Sequence, residues 1–320
     1  MAKQVLLREY TSLKCGGMAE FYAEPPDTGT LLALLAYGKE HSVPSTVIGC
    51  GTNLLVDDEG IPGLVISTRA MTAAVTGSMQ ITADAGIPVA DLVALSIDRG
   101  WRGLEQLAGL PGSLGGAVFG NAGCFGREIA DCIDWVEYVD SRLKVHRRTC
   151  VSEDFRYRDS MFRQEELLVT RVCLRFDLSA DPRELQQEAN RYLLRREEAG
   201  HFRAPSAGSV FRKPIRPVTD GDDTITSAGE LIERSGLRGY ACGGAVIAPF
   251  HANFIINPDH AALSRDVLEL IETAQKRVKA CFGIDILCEI RYAGKGTATK
   301  AVNFGISPNY LEIRKGGQYG

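Results

Sequence analysis

A chain of 320 residues with 45% hydrophobic side chains can bury a full core and is long enough for two or three domains. Its 24% charged residues and net charge of −4 give no basic face of the kind that nucleic-acid binding needs. No run reaches the ~20 apolar residues of a membrane span, and the start Met1-Ala2-Lys3-Gln4 leads into no apolar signal core. The nine cysteines are odd in number and form no C-x-x-C pair. That usage argues against a zinc site and a disulfide framework, and for reduced thiols in a cytoplasm.

In chain order, Pro26 to His41 reads as a helix capped by Asp27 or Thr28, with Leu31, Leu32, Leu34 and Leu35 inside. Strand-like runs follow at Thr46-Val47-Ile48, Gly63 to Ile66 and Gln80 to Ala83. Pro88 to Arg99 is a second helix, with proline near its start and Gly100 just past its end. Ile133 to Val139 and Leu167 to Phe176 are further strands. A polar helix from Asp181 to about Glu198 then marks a domain junction. Ser264 is expected to cap a helix whose apolar face is Val267, Leu270, Ile271, Ala274, Val278 and Cys281. The last expected strand, Ile284 to Tyr292, alternates: Ile284, Ile286, Cys288 and Ile290 on one face, Asp285, Leu287, Glu289 and Arg291 on the other.

Two glycine-rich stretches carry the chemistry, Gly49-Cys50-Gly51-Thr52-Asn53-Leu54-Leu55 and Pro111 to Gly123. Glycine at that density lets backbone N–H groups approach a ligand closely, and two such loops in one lobe suit a large phosphorylated cofactor. Leu54 stands where the dinucleotide fingerprint needs its third glycine, and no G-x-x-x-x-G-K-[ST] occurs. Four polar constellations add to these: Phe155 to Ser160 with two arginines, Ala207 to Pro214 with Ser209 on a turn, Ala228 to Asn253 with His251, and Glu289. Taken singly, each has an ordinary explanation: a surface arginine, a turn serine, an edge histidine, a solvated carboxylate.

Their order carries more than any one of them. The chain resembles the UDP-N-acetylenolpyruvoylglucosamine reductase family, from Thr11-Ser12-Leu13-Lys14-Cys15-Gly16-Gly17 through both glycine stretches and Gly103-Leu104-Glu105. The resemblance continues through Tyr157-Arg158-x-Ser160, Ala207 to Pro214, Ala228 to Gly239, His251 to Asn257 and Phe282 to Gly294. It implies an α+β fold: a flavin-binding lobe of the vanillyl-alcohol-oxidase (PCMH) type over 1–180, in subdomains of about 1–70 and 71–180. A smaller substrate-binding α+β domain would span 181–294, and the tail 295–320 would return to the N-terminal lobe.

The resemblance also implies non-covalent FAD, with NADPH as reductant. The pyrophosphate would lie on Gly49, Cys50, Gly51, Thr52, Asn53 and Leu54 and on Pro111, Gly112, Ser113, Gly115, Gly116, Asn121 and Gly123. Cys50 invites the thought of a thioether to the flavin, but a small buried cysteine suits the loop as well. The implied substrate is a UDP-sugar enolpyruvyl ether, with no nucleic-acid partner and no membrane insertion. Arg158 and Glu289 would stabilise the charge that hydride addition leaves beside the carboxylate, and Ser209 would donate the proton. Arg196 and Asn253 would meet the substrate. Thr52 replaces the family's usual serine, and Ala199-Gly200-His201 replaces a common Lys-Gln-Pro. The short spacing from Arg158 to Ser209 resembles the subtype that lacks an inserted tyrosine-bearing element. A different flavin oxidoreductase on this fold, or a nucleotide-sugar binder without activity, remains open at this point. The first would need its own substrate residues and often a covalent flavin, and the second would be expected to have lost at least one of Arg158, Ser209 and Glu289, none of which is lost.

Overall fold

The computed structural model describes residues 1–221 and 223–294, and the backbone of Val302–Asn303. Two five-stranded sheets build the N-terminal lobe. The first runs in the order Ala2–Leu6, Met18–Ala23, Ile61–Ser67, Ser45–Ile48, Val302–Asn303. Its first pair is antiparallel and the other pairs are parallel. The second sheet is antiparallel throughout, in the order Val145–Thr149, Ile133–Val139, Leu168–Arg175, Gln80–Asp84, Ala74–Gly77. Of the tail assigned to 295–320, only the two-residue pairing of Val302–Asn303 with Ser45 and Thr46 is described; the rest lies outside the described residues.

The parallel strands are short apolar runs because both faces are covered. Helix Thr28–Glu40 lays Leu31 and Leu35 against Val47, Leu64 and Ile66 in one core. Asp27 starts that helix by accepting a hydrogen bond from Thr30 N at 2.7 Å. Helices Val89–Asp98 and Leu114–Gly120 cover the second sheet, whose core gathers Leu92, Leu107, Leu114, Val136, Val172 and Leu174. Helix Pro182–Glu198 joins this same core through Leu185 and Ala189. The junction drawn from sequence at 181 therefore falls inside the packing of the first lobe, because the helix has no other apolar face to cover.

The C-terminal unit is a four-stranded antiparallel sheet in the order Ser206–Ser209, Phe254–Ile256, Ala245–Ile247, Ala241–Cys242, backed by helices Ala228–Arg234 and Ser264–Phe282. The long helix buries Val267, Leu270, Ile271, Ala274 and Val278 as its spacing predicts, but Cys281 is exposed at its last turn. Ser264 is the first residue inside the helix and not its cap. The capping comes from another part of the chain: Ser264 N donates to Asp58 Oδ1 at 2.7 Å, and Ser264 Oγ accepts from Asp58 N at 3.0 Å. Residues 284–290 keep the predicted alternation, with Ile286 and Ile290 buried, yet only Arg291–Ala293 forms a strand, parallel to Leu54–Val56. The earlier residues lie alongside Val210–Arg212, with Glu289 N donating to Val210 O at 2.8 Å and Arg212 N to Leu287 O at 2.9 Å.

Leu13, Cys15 and Leu55 from the N-terminal lobe sit in the core of the C-terminal unit. All nine cysteines are free. No helix among the described residues is long and apolar enough to cross a membrane.

Candidate active site

One cleft of about 1250 Å³ runs between the two sheets of the N-terminal lobe and the C-terminal unit. Both glycine stretches line it, and they touch each other. A Cβ on Gly49 would stand 2.8 Å from Ser113 Oγ, and one on Gly112 would stand 2.9 Å from Thr52 Oγ1. Gly51 has φ of +68°, and a Cβ there would run into Tyr10 O. Side chains at Gly49 and Gly112 would crowd the space where the two loops meet, and one at Gly51 would strike the backbone behind the first loop, which is the local reason for glycine. Arg69 fastens the first loop, its Nη2 donating to Cys50 O at 2.7 Å and to Tyr10 O at 2.9 Å. Burial pushes the Cys50 thiol up, against the pull of Arg69, so the residue is a poor nucleophile. In the second stretch, Leu114 N and Gly115 N already donate to Ile87 O and Ala85 O. Those two amides hold the loop in place, while the glycines open it.

At the other end of the cleft stand Arg158, Ser209 and Glu289. Arg158 lies in the two-residue turn between Phe155–Arg156 and Asp159–Ser160, with φ of +56°. A non-glycine residue in that region costs on the order of 1 kcal/mol, so something else must hold it there. Arg163 Nη1 donates to Arg158 O at 3.2 Å, and Ser160 ties the hairpin to the helix by donating to Phe119 O at 2.8 Å. The arginine side chain donates from Nη2 to Gly123 O at 2.7 Å and lies 3.8 Å, Nε to Oε2, from Glu289.

Glu289 has a side chain only 15% exposed. Burial raises its pKa, and the charges of Arg158, Arg212 and Arg163 oppose that rise. A carboxyl in that position can keep or share a proton where an ordinary one has lost it. Asn53 of the first glycine loop positions it, Nδ2 donating to Glu289 O at 3.0 Å while Asn53 O accepts from Arg291 N at 3.1 Å. Ser209 ends the edge strand next to Gly208, whose φ is +74°, and its hydroxyl makes no hydrogen bond to the described residues.

Two predicted contact residues lie elsewhere. Asn121 is fully buried and does not line the cleft. Its left-handed backbone ends the helix Leu114–Gly120, and its Nδ2 donates to Glu128 Oε2 and to Arg156 O, which anchors the Arg158 hairpin. Asn253 also lies outside the cleft lining; its amide clamps both sides of Phe211, accepting from N at 3.0 Å and donating to O at 2.9 Å. It fixes the turn that carries Ser209. Both asparagines satisfy buried backbone groups, a use that sequence does not distinguish from ligand binding.

Other cleft residues were not singled out from the sequence. Arg163 and Arg291 line the same end, and burial draws Arg291 down to about 9. The period-two rule does put Arg291 on the face of Glu289 and was the available signal. Arg163 sits in a short helical turn whose sequence gives none. Lys213 lies at the rim.

Two glycine-cradled loops in a lobe of two sheets, facing Arg158 of that lobe paired with Glu289 from the C-terminal part of the chain, define a flavin-dependent oxidoreductase of the vanillyl-alcohol-oxidase type. Comparison with known proteins agrees. Residues 19–148 match the family described as FAD binding domain, and residues 200–293 match UDP-N-acetylenolpyruvoylglucosamine reductase, C-terminal domain. Over 289 residues the chain is 38% identical to the UDP-N-acetylenolpyruvoylglucosamine reductase of Synechococcus sp. (strain JA-3-3Ab), covering 90% of this chain and 89% of that one. The enzyme of the same name from Staphylococcus aureus (strain COL) is 33% identical over 290 residues, 90% and 91% of the two chains. The crystal structure of UDP-N-acetylenolpyruvylglucosamine reductase from Thermus caldophilus superposes with a TM-score of 0.72 at 32% identity, over 92% of this chain and 99% of that one. The chain belongs to the UDP-N-acetylenolpyruvoylglucosamine reductase family.

Proposed function

We infer that the cleft carries the reaction of its family, with Arg158, Ser209 and Glu289 as its reacting-end residues. The chain is an FAD-dependent oxidoreductase that reduces the enolpyruvyl group of UDP-N-acetyl-3-O-(1-carboxyvinyl)-glucosamine to UDP-N-acetylmuramate, using NADPH, in peptidoglycan precursor synthesis. The observation that carries the residue roles is the Arg158–Glu289 pair, 3.8 Å apart in the cleft that the glycine loops and Ser209 also line. The Gly49–Leu54 loop and the Gly112–Gly116 bend would hold FAD, since they leave open the space that side chains would fill. FAD, when bound, supplies the hydride that NADPH provides and the vinyl carbon receives.

The remaining work falls to the chain. Reduction at the terminal vinyl carbon leaves negative charge spread onto the substrate carboxylate. The planar guanidinium of Arg158 can meet that charge with two donors at once. Burial raises the Glu289 carboxyl against the pull of three arginines, and in its protonated form it can donate to the same group without repelling it. Ser209, whose hydroxyl is uncommitted, gives its proton to the α carbon, because the carbanion is a far stronger base than an alkoxide site in water. We place this reaction in the cytoplasm and without a nucleic-acid partner.

Purified protein tests the reading directly. It should be yellow, release FAD into solution on acid or heat denaturation, and consume NADPH only when the enolpyruvyl sugar is present. A colourless protein that takes up no FAD would end the proposal. Flavin retained on the precipitated polypeptide would instead point to a covalent link at Cys50.

A further inference from the structure

The opening motif Thr11 to Gly17 has no part in the chemistry above, yet Ser12 lines the cleft. Its hydroxyl stands between the two halves of the site. Ser12 Oγ donates to Ser206 O at 2.7 Å, and Thr52 O is a second acceptor at 3.3 Å. Thr52 belongs to the first glycine loop, and Ser206 opens the edge strand that ends at Ser209. A hydroxyl carries one proton, so the two carbonyls share a single donor. Without it, two carbonyl oxygens would face each other with no donor between them.

Ser12 has little freedom to leave this place. Leu13, the next residue, is buried in the core of the C-terminal unit, and Thr11 Oγ1 donates to Cys15 O at 3.0 Å. Asn257 holds the two partners side by side: its Nδ2 donates to Leu13 O at 3.0 Å, and its N to Pro205 O at 2.9 Å.

The two ends of the Ser12 contact are not equally secure. On the loop side, Gly51 O accepts from Ser12 N, Cys50 O from Arg69 and Asn53 O from Arg291 N. The loop therefore keeps its place when the hydroxyl is lost. On the strand side the ladder is irregular. Ser206 pairs with Ile256 and Ser209 with Phe254, with a register shift between them, and Gly208 in that interval has φ of +74°. Such a bulge re-aims the side chain that follows it, and its direction depends on what pins its start. Ser206 pins it twice, through its O to Ser12 and through its Oγ, which accepts from Gly208 N at 3.4 Å.

We propose that Ser12 is a positioning residue for proton delivery: its hydroxyl ties the start of the Ser206–Ser209 bulge to the first glycine loop and so sets where Ser209 points. This rests on the function proposed above, in which Ser209 gives the proton and the Gly49–Leu54 loop holds FAD. The tie matters only to the half-reaction that needs Ser209.

The test is anaerobic stopped-flow absorbance of the FAD-loaded protein. Ser12→Ala should be reduced by NADPH at the parent's rate, while reoxidation by the enolpyruvyl sugar slows by about 10- to 100-fold, since a misplacement of about 1 Å can cost about 10²-fold. Ser12→Thr, which keeps the hydroxyl, should restore most of that rate. A double variant decides the route: if Ser12 acts through Ser209, adding Ser12→Ala to Ser209→Ala should slow reoxidation no further. FAD release from the diluted holoenzyme, followed by flavin fluorescence, should be the same in Ser12→Ala as in the parent. Faster FAD release, equal slowing of both half-reactions, or a further slowing on top of Ser209→Ala would each overturn the positioning role. So would parent-like reoxidation in Ser12→Ala beside a slow Ser209→Ala. Normal reoxidation in Ser209→Ala itself would fell the functional reading, and the role of Ser12 with it.

Discussion

Arg158 sits in a left-handed turn, and its conformation is maintained by Arg163, Ser160 and Asn121 rather than by its own preference. Its chemistry should therefore be separable from its fold. Arg158→Lys keeps the charge but loses the planar fork, and turnover should fall by about 10²-fold, as for loss of one transition-state donor. A melting curve measured alongside should stay near the parent's; near-normal turnover would make Arg158 a structural residue. Ser209 allows a sharper division. Ser209→Ala should still be bleached by NADPH at the normal rate, while reoxidation by the enolpyruvyl sugar should slow by roughly 10²–10⁴-fold. Anaerobic stopped-flow absorbance reads each half-reaction, and normal reoxidation in the variant would remove Ser209 from the mechanism. These residue types were legible in the sequence through the company they keep. The two asparagines show the limit of that reading. Asn121 and Asn253 occur in the same motifs but serve hidden backbone groups, and a motif does not say which way a side chain turns.

Among elements, the helices and sheet strands of the N-terminal lobe follow their patterns closely because apolar periodicity there faces a single core. The stretch 284–290 does not form a continuous strand, although its alternation is clean. Its neighbour Val210–Arg212 meets it at only a few backbone positions, so burial alternates without a ladder. The helix Ser264–Phe282 shows a second effect. Local sequence offers Ser264 as a cap, yet Asp58, from the turn after Leu54–Val56, fills that place. A partner so distant in sequence leaves no local signature. Since Asp58 does not line the cleft, Asp58→Ala should cost about 1 kcal/mol, the usual value for a lost cap. Urea unfolding of the FAD-loaded protein would show it as a lower midpoint, and an unchanged midpoint would mean that water replaces the carboxylate.

For the molecule as a whole, acid should be the destabilising direction, in part through two histidines. Burial, with Arg196 and His251 nearby, lowers His201 from 6.5 to about 4, and burial lowers His251 as well. The unfolded chain then binds more protons than the folded one below 6.5. Stability contributed by neutral His201 is complete above pH 6.5 and is lost as pH falls toward about 4. His201→Phe, which preserves the ring packing on Phe254, should flatten the fall in melting temperature across that window. A parent and variant with identical pH profiles would show that His201 does not sense the burial. The sites of this protein also join distant ends of the chain. Leu13, Cys15 and Leu55 share one core with residues as late as Ile286, Ile290 and Tyr292, and Asn53 meets Glu289 across the same seam. The consequence falls on biosynthesis. A ribosome delivers the flavin loops early, but the core that Leu13, Cys15 and Leu55 share is complete only when almost the last described strand has emerged. No shorter nascent chain can bring Glu289 and Arg291 to the pocket, so the site closes only after those residues have been made.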